Sequence, residues 1–108
     1  MTQLAYTNIF DAIKEDKQEA ADMAFRADML LVLRDIFEVN NWDQSTIMAE
    51  LEITQPRASE LMRGKVSKFS SDKLIGFLAK LGFRLKPTVT LDTTNSDKIK
   101  IECSINYA

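Results

Sequence analysis

A chain of 108 residues that is 45% hydrophobic and 28% charged has material for one modest core, so a single domain spanning residues 1–108 is expected. It contains no apolar run of about 18 residues and no charged-then-apolar leader, which argues against a membrane span or a secretion signal and for a cytoplasmic protein. It has no histidine and a single cysteine, Cys103, which excludes His-based catalysis, His-containing metal sites and an internal disulfide.

The net charge of −2 hides a lopsided distribution. Residues 1–53 hold 11 acids against 4 bases, residues 54–86 hold 2 against 8, and the remainder holds 3 against 2. A basic segment of this strength suits phosphate binding better than a solvated surface, which is usually mixed in sign.

In chain order, residues 1–7 show no periodicity and read as a loose or docking arm. A helical segment is assigned to 8–40, because from Asp16 to Asn40 there is neither Gly nor Pro, and it forms one long helix or two in succession. Leu30, Leu33, Ile36 and Phe37 make the face expected to pack under the short helices of the second segment. Met29 to Leu33 is apolar nearly all round, which implies a second contact surface. Asp11, Glu15, Asp16, Glu19 and Asp22 admit an acid/base or metal reading, but a solvated helix face is favoured, with docking of a basic partner as a third reading. Of the five methionines, mostly core filler, Met23 and Met29 are the candidates for a partner surface. Asn40 and Asn41 end the segment, and Trp42 reads as a structural residue beside the N-cap Asp43.

The second segment, 43–82, begins with two short helices. Ile47, Met48 and Leu51 share one face of the first, and Ala58, Leu61 and Met62 one face of the second. Thr54 is expected to cap the second helix through its hydroxyl, Pro56 suits its first turn, and Gly64 stops it after Arg63. Gln55, Arg57, Ser59 and Glu60 then lie on or near its leading, outward surface. Paired short helices of this kind form a helix-turn-helix, whose second helix enters the DNA major groove by its first turn. Lys65 and Lys68 come next in a loop, as phosphate contacts or as plain solubilising lysines. Ser70 caps a further helix that carries Asp72 in its first turn, with Phe69 stapled onto Leu74; Leu74, Ile75, Phe77, Leu78 and Leu81 are its apolar positions and Gly82 ends it.

From 83 to 106 the period falls to two. Phe83, Leu85, Pro87, Val89 and Leu91 alternate with polar residues and, after a polar loop over 93–97, Ile99, Ile101, Cys103 and Ile105 do the same. This predicts a β-hairpin in which Pro87 marks an unpaired position or an edge. An isolated hairpin is marginal in water, so pairing within a homodimer is favoured, and Cys103 is expected to be a small buried hydrophobe. The fold class expected is mostly α, a five-helix-like helix-turn-helix bundle, which resembles the phage-repressor-like bundles, with a C-terminal β-hairpin.

Gln44, Ile53-Thr54-Gln55-Pro56-Arg57, Ser59, Leu61, Arg63-Gly64-Lys65 and Phe69-Ser70 together resemble the XRE-family helix-turn-helix proteins, and within them antitoxins of the HigA type. Asn8-Ile9-Phe10-Asp11-Ala12, Ala21-Asp22-Met23 and Arg26 extend the resemblance, which runs from about Asn8 to about Leu91. It implies a dimeric repressor on a palindromic operator that neutralises a small, basic RelE/HigB-like ribonuclease toxin. By residue type, Gln55 suits adenine, Arg57 guanine or a phosphate, and Glu60 cytosine or the exclusion of wrong bases. The resemblance gives Gln44 and Thr54 to backbone phosphates, with Ser59 in the motif and Arg63, Lys65 and Lys68 adding charge. Three departures stand out: Asp43 where the group has Thr, Glu52 where Gly is usual at the turn, and Met48 facing Ala58 where the group has a small residue facing a larger one. The alternatives are a stand-alone phage-type repressor and a protein-binding module on a helix-turn-helix scaffold. No nucleophile with a base, metal cluster or phosphate-cradling loop appears, so neither enzymatic activity nor a cofactor is expected.

Overall fold

The computed structural model describes residues 2–91 and 99–107, with the side chains of 16–91 and 99–107; the 93–97 loop lies outside the described residues. Among these, the chain forms four α-helices and one two-stranded sheet: α1 (Thr2–Val39), α2 (Gln44–Leu51), α3 (Gln55–Met62), α4 (Ser71–Lys80), β1 (Phe83–Leu91) and β2 (Ile99–Tyr107). A single 3₁₀ turn, Val66–Lys68, joins α3 to α4.

The count is four helices, not five, because nothing interrupts α1. With no Gly or Pro to stop it, the helix propagates through 38 residues, and residues 2–7 continue it instead of forming a loose arm. It ends where expected. The Asn40 side-chain amide donates to the Ile36 carbonyl at 2.8 Å, and Asn41 turns into the left-handed region at φ 54°.

The core is the meeting of α1, α2, α3 and α4. Leu33, Ile47, Leu51, Ala58, Leu61 and Leu74 are fully buried, with Leu30, Phe37, Phe69, Phe77 and Leu78 nearly so. Trp42 lies half-buried with its ring centroid 6.0 Å from that of Phe37, a structural position as expected. Met29 is buried in the core whereas Met23 and Leu31 are exposed, and Met62 and Ile75 also face outward at the margin of their helices. Met48, half-buried, packs on the core from its edge, and Ala58 is fully buried.

The caps are local chemistry. Asp43 accepts from the Thr46 amide and hydroxyl, each at 2.8 Å, and Ser70 accepts from the Lys73 amide at 3.2 Å. Thr54 holds the N-cap position of α3, but its hydroxyl makes no capping bond, which corrects the role expected for it. The turn between α2 and α3 keeps its left-handed residue: Glu52 stands at φ 56°, ψ 49°. Lys80 in α4 reaches across to donate to the Leu51 carbonyl at 2.9 Å and to pair with Glu52 at 3.5 Å, so this corner is held from outside.

The hairpin runs in unbroken antiparallel register from Phe83 opposite Tyr107 to Leu91 opposite Ile99. Only its base, Phe83, Leu85 and Ile105, packs against the bundle. Cys103 is consequently exposed, not buried: it sits beyond the point where the strands leave the core.

Candidate nucleic-acid interface

α3 is placed by its two buried residues. Ala58 and Leu61 lock against the core at zero exposure, and the 3.6-residue repeat then turns Gln55, Pro56 and Arg57 to solvent at the leading end. Pro56 in the first turn surrenders an amide that the helix could not pair in any case. Gln44, at the start of α2, donates through Nε2 to the Gln55 carbonyl at 3.3 Å, so the two helix starts are tied side by side.

The predicted set has Gln44 beside Gln55, with Thr54, Gln55 and Arg57 exposed, Ser59 and Glu60 half-buried, and Arg63, Lys65 and Lys68 exposed further along the chain. Within it, two groups are organised. Arg63 donates to the Ser59 hydroxyl through Nη2 at 2.8 Å and Nε at 3.2 Å. Arg57 donates through Nη1 to Glu60 Oε2 and to the Lys68 carbonyl, each at 3.2 Å, with its guanidinium over the Phe69 ring. Arg57 thus bridges the first turn of α3 to the basic loop on its C-terminal side.

Asp22, Arg26 and Phe69 have a supporting role that sequence reasoning missed. Arg26 of α1 donates through Nη1 to the Phe69 carbonyl at 3.3 Å, and Asp22 pairs with Arg26 Nε at 2.9 Å while accepting from the Ser71 hydroxyl. The Arg26 Nε contact is ionic and lacks hydrogen-bond alignment. Together these residues fasten the loop that carries Lys65, Lys68 and the Phe69 shelf to the long helix. The available signal was the Asp22 to Arg26 spacing of four on one helix face.

Asp43 is the group here whose proton affinity departs from the ordinary range. The Thr46 amide, and then the Thr46 hydroxyl, bond its carboxylate and hold its pKa below the usual value. Among the described residues there is no group of three or more Cys, Asp or Glu side chains arranged to hold a metal ion. None of the described helices is long and apolar enough to cross a membrane.

Two adjoining short helices, the second presenting amide and guanidinium groups beside a basic loop, define a helix-turn-helix DNA-binding regulator. The sequence profile of the helix-turn-helix domain family matches residues 12–90, from within α1 to within β1, and the chain belongs to that family. No curated protein matches the chain.

Proposed function

We propose that the protein is a sequence-specific transcriptional repressor that binds a palindromic operator as a homodimer and has no catalytic role. One observation carries this reading: the leading end of α3 stands clear of the core, with Gln55 and Arg57 exposed and Arg63, Lys65 and Lys68 exposed beside it. In this reading Gln55 and Arg57 contact base edges, while Gln44, Thr54, Ser59 and the basic residues hold phosphates. Two copies offer two such ends to half-sites about 34 Å apart on one face of the duplex.

Within that role we place the protein as an antitoxin that represses its own operon and neutralises a small basic ribonuclease toxin. Supporting this finer reading are the motif resemblance and the bare surface of α1. Every side chain from Asp16 to Ala24 is exposed, including the acids Asp16 and Glu19 and the apolar Met23, a surface suited to a basic partner.

The test is a pair of variants on two DNAs. Arg57→Ala is expected to weaken operator binding more than random-duplex binding. Lys65→Ala is expected to weaken both alike and to lower the slope of log affinity against log salt by about 1. Equal losses on both duplexes for both variants would overturn the division of roles. Co-expression with the adjacent reading frame tests the antitoxin reading: a small basic protein that co-purifies and is lethal alone supports it, and a lone repressor with no such neighbour overturns it.

A further inference from the structure

The hairpin has a face that a single chain leaves bare. In the observed register every odd-numbered residue of β1 and β2 is apolar and lies on one side of the sheet, and every even-numbered residue is polar and lies on the other. Beyond the packed base, Val89 is 58%, Leu91 65%, Ile99 64% and Ile101 68% exposed, and at the base itself Tyr107, opposite Phe83, is 77% exposed.

Pro87 decides which edge is open. It stands at the centre of a nine-pair ladder that continues unbroken on both sides. A residue without an N–H fits there only at a non-hydrogen-bonded pair, with its nitrogen turned to the outer edge of β1. The alternation then turns the backbone groups of all the odd-numbered residues outward. The outer edge of β1 lacks a donor at its middle, whereas the outer edge of β2 presents the N–H and C=O of Ile99, Ile101, Cys103, Ile105 and Tyr107 in an unbroken row.

We propose that β2 pairs antiparallel with β2 of a second copy, centred on Cys103, so that two hairpins become one four-stranded sheet. In that register all nine residues pair. Ile99 meets the partner's Tyr107, Ile101 meets the partner's Ile105, and Cys103 meets its own counterpart, apolar on apolar throughout. On the polar side Lys100 meets the partner's Asn106 and Glu102 meets the partner's Ser104, with no like charges opposed. A centre at Glu102 would oppose two carboxylates, and a centre at Ile101 or Ser104 would pair fewer of the residues of β2. The same register carries each hairpin tip toward the other bundle. Ile99 arrives beside the partner's Tyr107, which lines a groove of about 560 Å³ with Val32, Val39, Trp42 and Phe83. The bare Leu91 and Ile99 ends of the strands and this groove, both unexplained by one chain, cover each other. The interface deepens the repressor reading by naming the surface that would join the two reading helices, and it rests on that reading for its purpose only.

The test uses the full chain without DNA. Light scattering at tens of micromolar should give a dimer, and diamide or a short bismaleimide should join the two copies through Cys103, because opposed residues of a hydrogen-bonded pair have Cα atoms about 5.5 Å apart. In the Cys103→Ser background, a mixture of Ile101→Cys and Ile105→Cys chains should cross-link, whereas Ile101→Cys alone should not, since those two positions would stand about 14 Å apart. Ile105 packs on the bundle, so circular dichroism checks that the helices persist in Ile105→Cys. A monomer, or a dimer in which Ile101→Cys alone cross-links as fast as the mixture, overturns the proposed pairing. Operator binding is measured on the same samples. A dimer that binds DNA without the expected cross-links refutes the interface alone, and a correctly cross-linked dimer that binds no DNA refutes the repressor reading alone.

Discussion

The guanidinium of Arg57 lies over the ring of Phe69, with Cζ 5.7 Å from the ring centroid, while its Nη1 is shared between Glu60 and the Lys68 carbonyl. The residue best suited to read a base is therefore held in a fixed place before any base is present. Phe69 is 2% exposed and cannot move with it. In the proposed DNA contact, exchanging the Glu60 pair for a base or phosphate costs little, since an exposed ion pair contributes about 0.2–1 kcal/mol.

Glu60→Gln probes that exchange. Removing the carboxylate frees Arg57 and deletes the one acid from the face of α3, so random-duplex binding is expected to rise by up to about fivefold. The ratio of operator to random binding should narrow if Glu60 serves to exclude wrong bases. Fluorescence anisotropy titrations on both duplexes check this; unchanged random binding would show that the pair does not restrain Arg57.

The Asp43 cap makes α2 acid-sensitive. Its folded pKa lies below the ordinary value because of the two Thr46 bonds, so the stabilisation is complete above the unfolded pKa of about 4 and is lost as pH falls through the lower folded value. Asp43→Asn retains a good capping acceptor that does not titrate. The difference in Tm between the parent and this variant should therefore shrink as pH is lowered from about 5 to about 3. A difference that stays constant over that range would mean the cap does not depend on the charge.

Glu52 occupies a left-handed position at φ 56°, where a side chain is disfavoured by about 1 kcal/mol relative to glycine. Lys80 offsets part of this through its contact with the carboxylate, but that pair is exposed and contributes at most about 1 kcal/mol. The Lys80 bond to the Leu51 carbonyl survives any change at position 52. Glu52→Gly is accordingly expected to stabilise by about 0.5 kcal/mol, or a few degrees in Tm. A clear loss of stability would assign the ion pair a larger part than its exposure allows.

Met48 packs at the edge of the core and Ala58 is fully buried in it, the reverse in residue size of the small-facing-large arrangement of the resembling group. If volume has been exchanged across this crossing, Met48→Ala leaves a void that the short Ala58 cannot fill. Because Met48 is only half-buried, the expected cost is about 1–2 kcal/mol, at the low end for a core methionine. Thermal unfolding measures it, and an unchanged Tm would remove the compensation from consideration.

What was legible in the sequence was local. The breaks at Asn40 and Asn41, the caps at Asp43 and Ser70, the left-handed Gly64 and Gly82, and the change of period at Phe83 each depend on residues within one turn of one another. Cap chemistry, glycine conformation and side-chain alternation act at that range, so the boundaries of α2, α3, α4 and the hairpin could be read without a structure. The outward face of α3 was legible for the same reason, since Ala58 and Leu61 orient the helix.

Tertiary structure decided the rest, because it depends on which distant groups meet. Thr54 makes no capping bond, the Gln44 amide goes to the Gln55 carbonyl, and Arg57 is claimed by Glu60, Lys68 and Phe69. No spacing rule announces that Arg26 would brace the Phe69 carbonyl from 43 residues away, or that Lys80 would steady the Leu51 carbonyl. The exposure of Cys103 is of the same kind: alternation assigned it to an apolar face, but only the packing of the hairpin base showed that the bundle ends before reaching it. Periodicity tells which side chains share a face; burial depends on whether another surface arrives to cover that face.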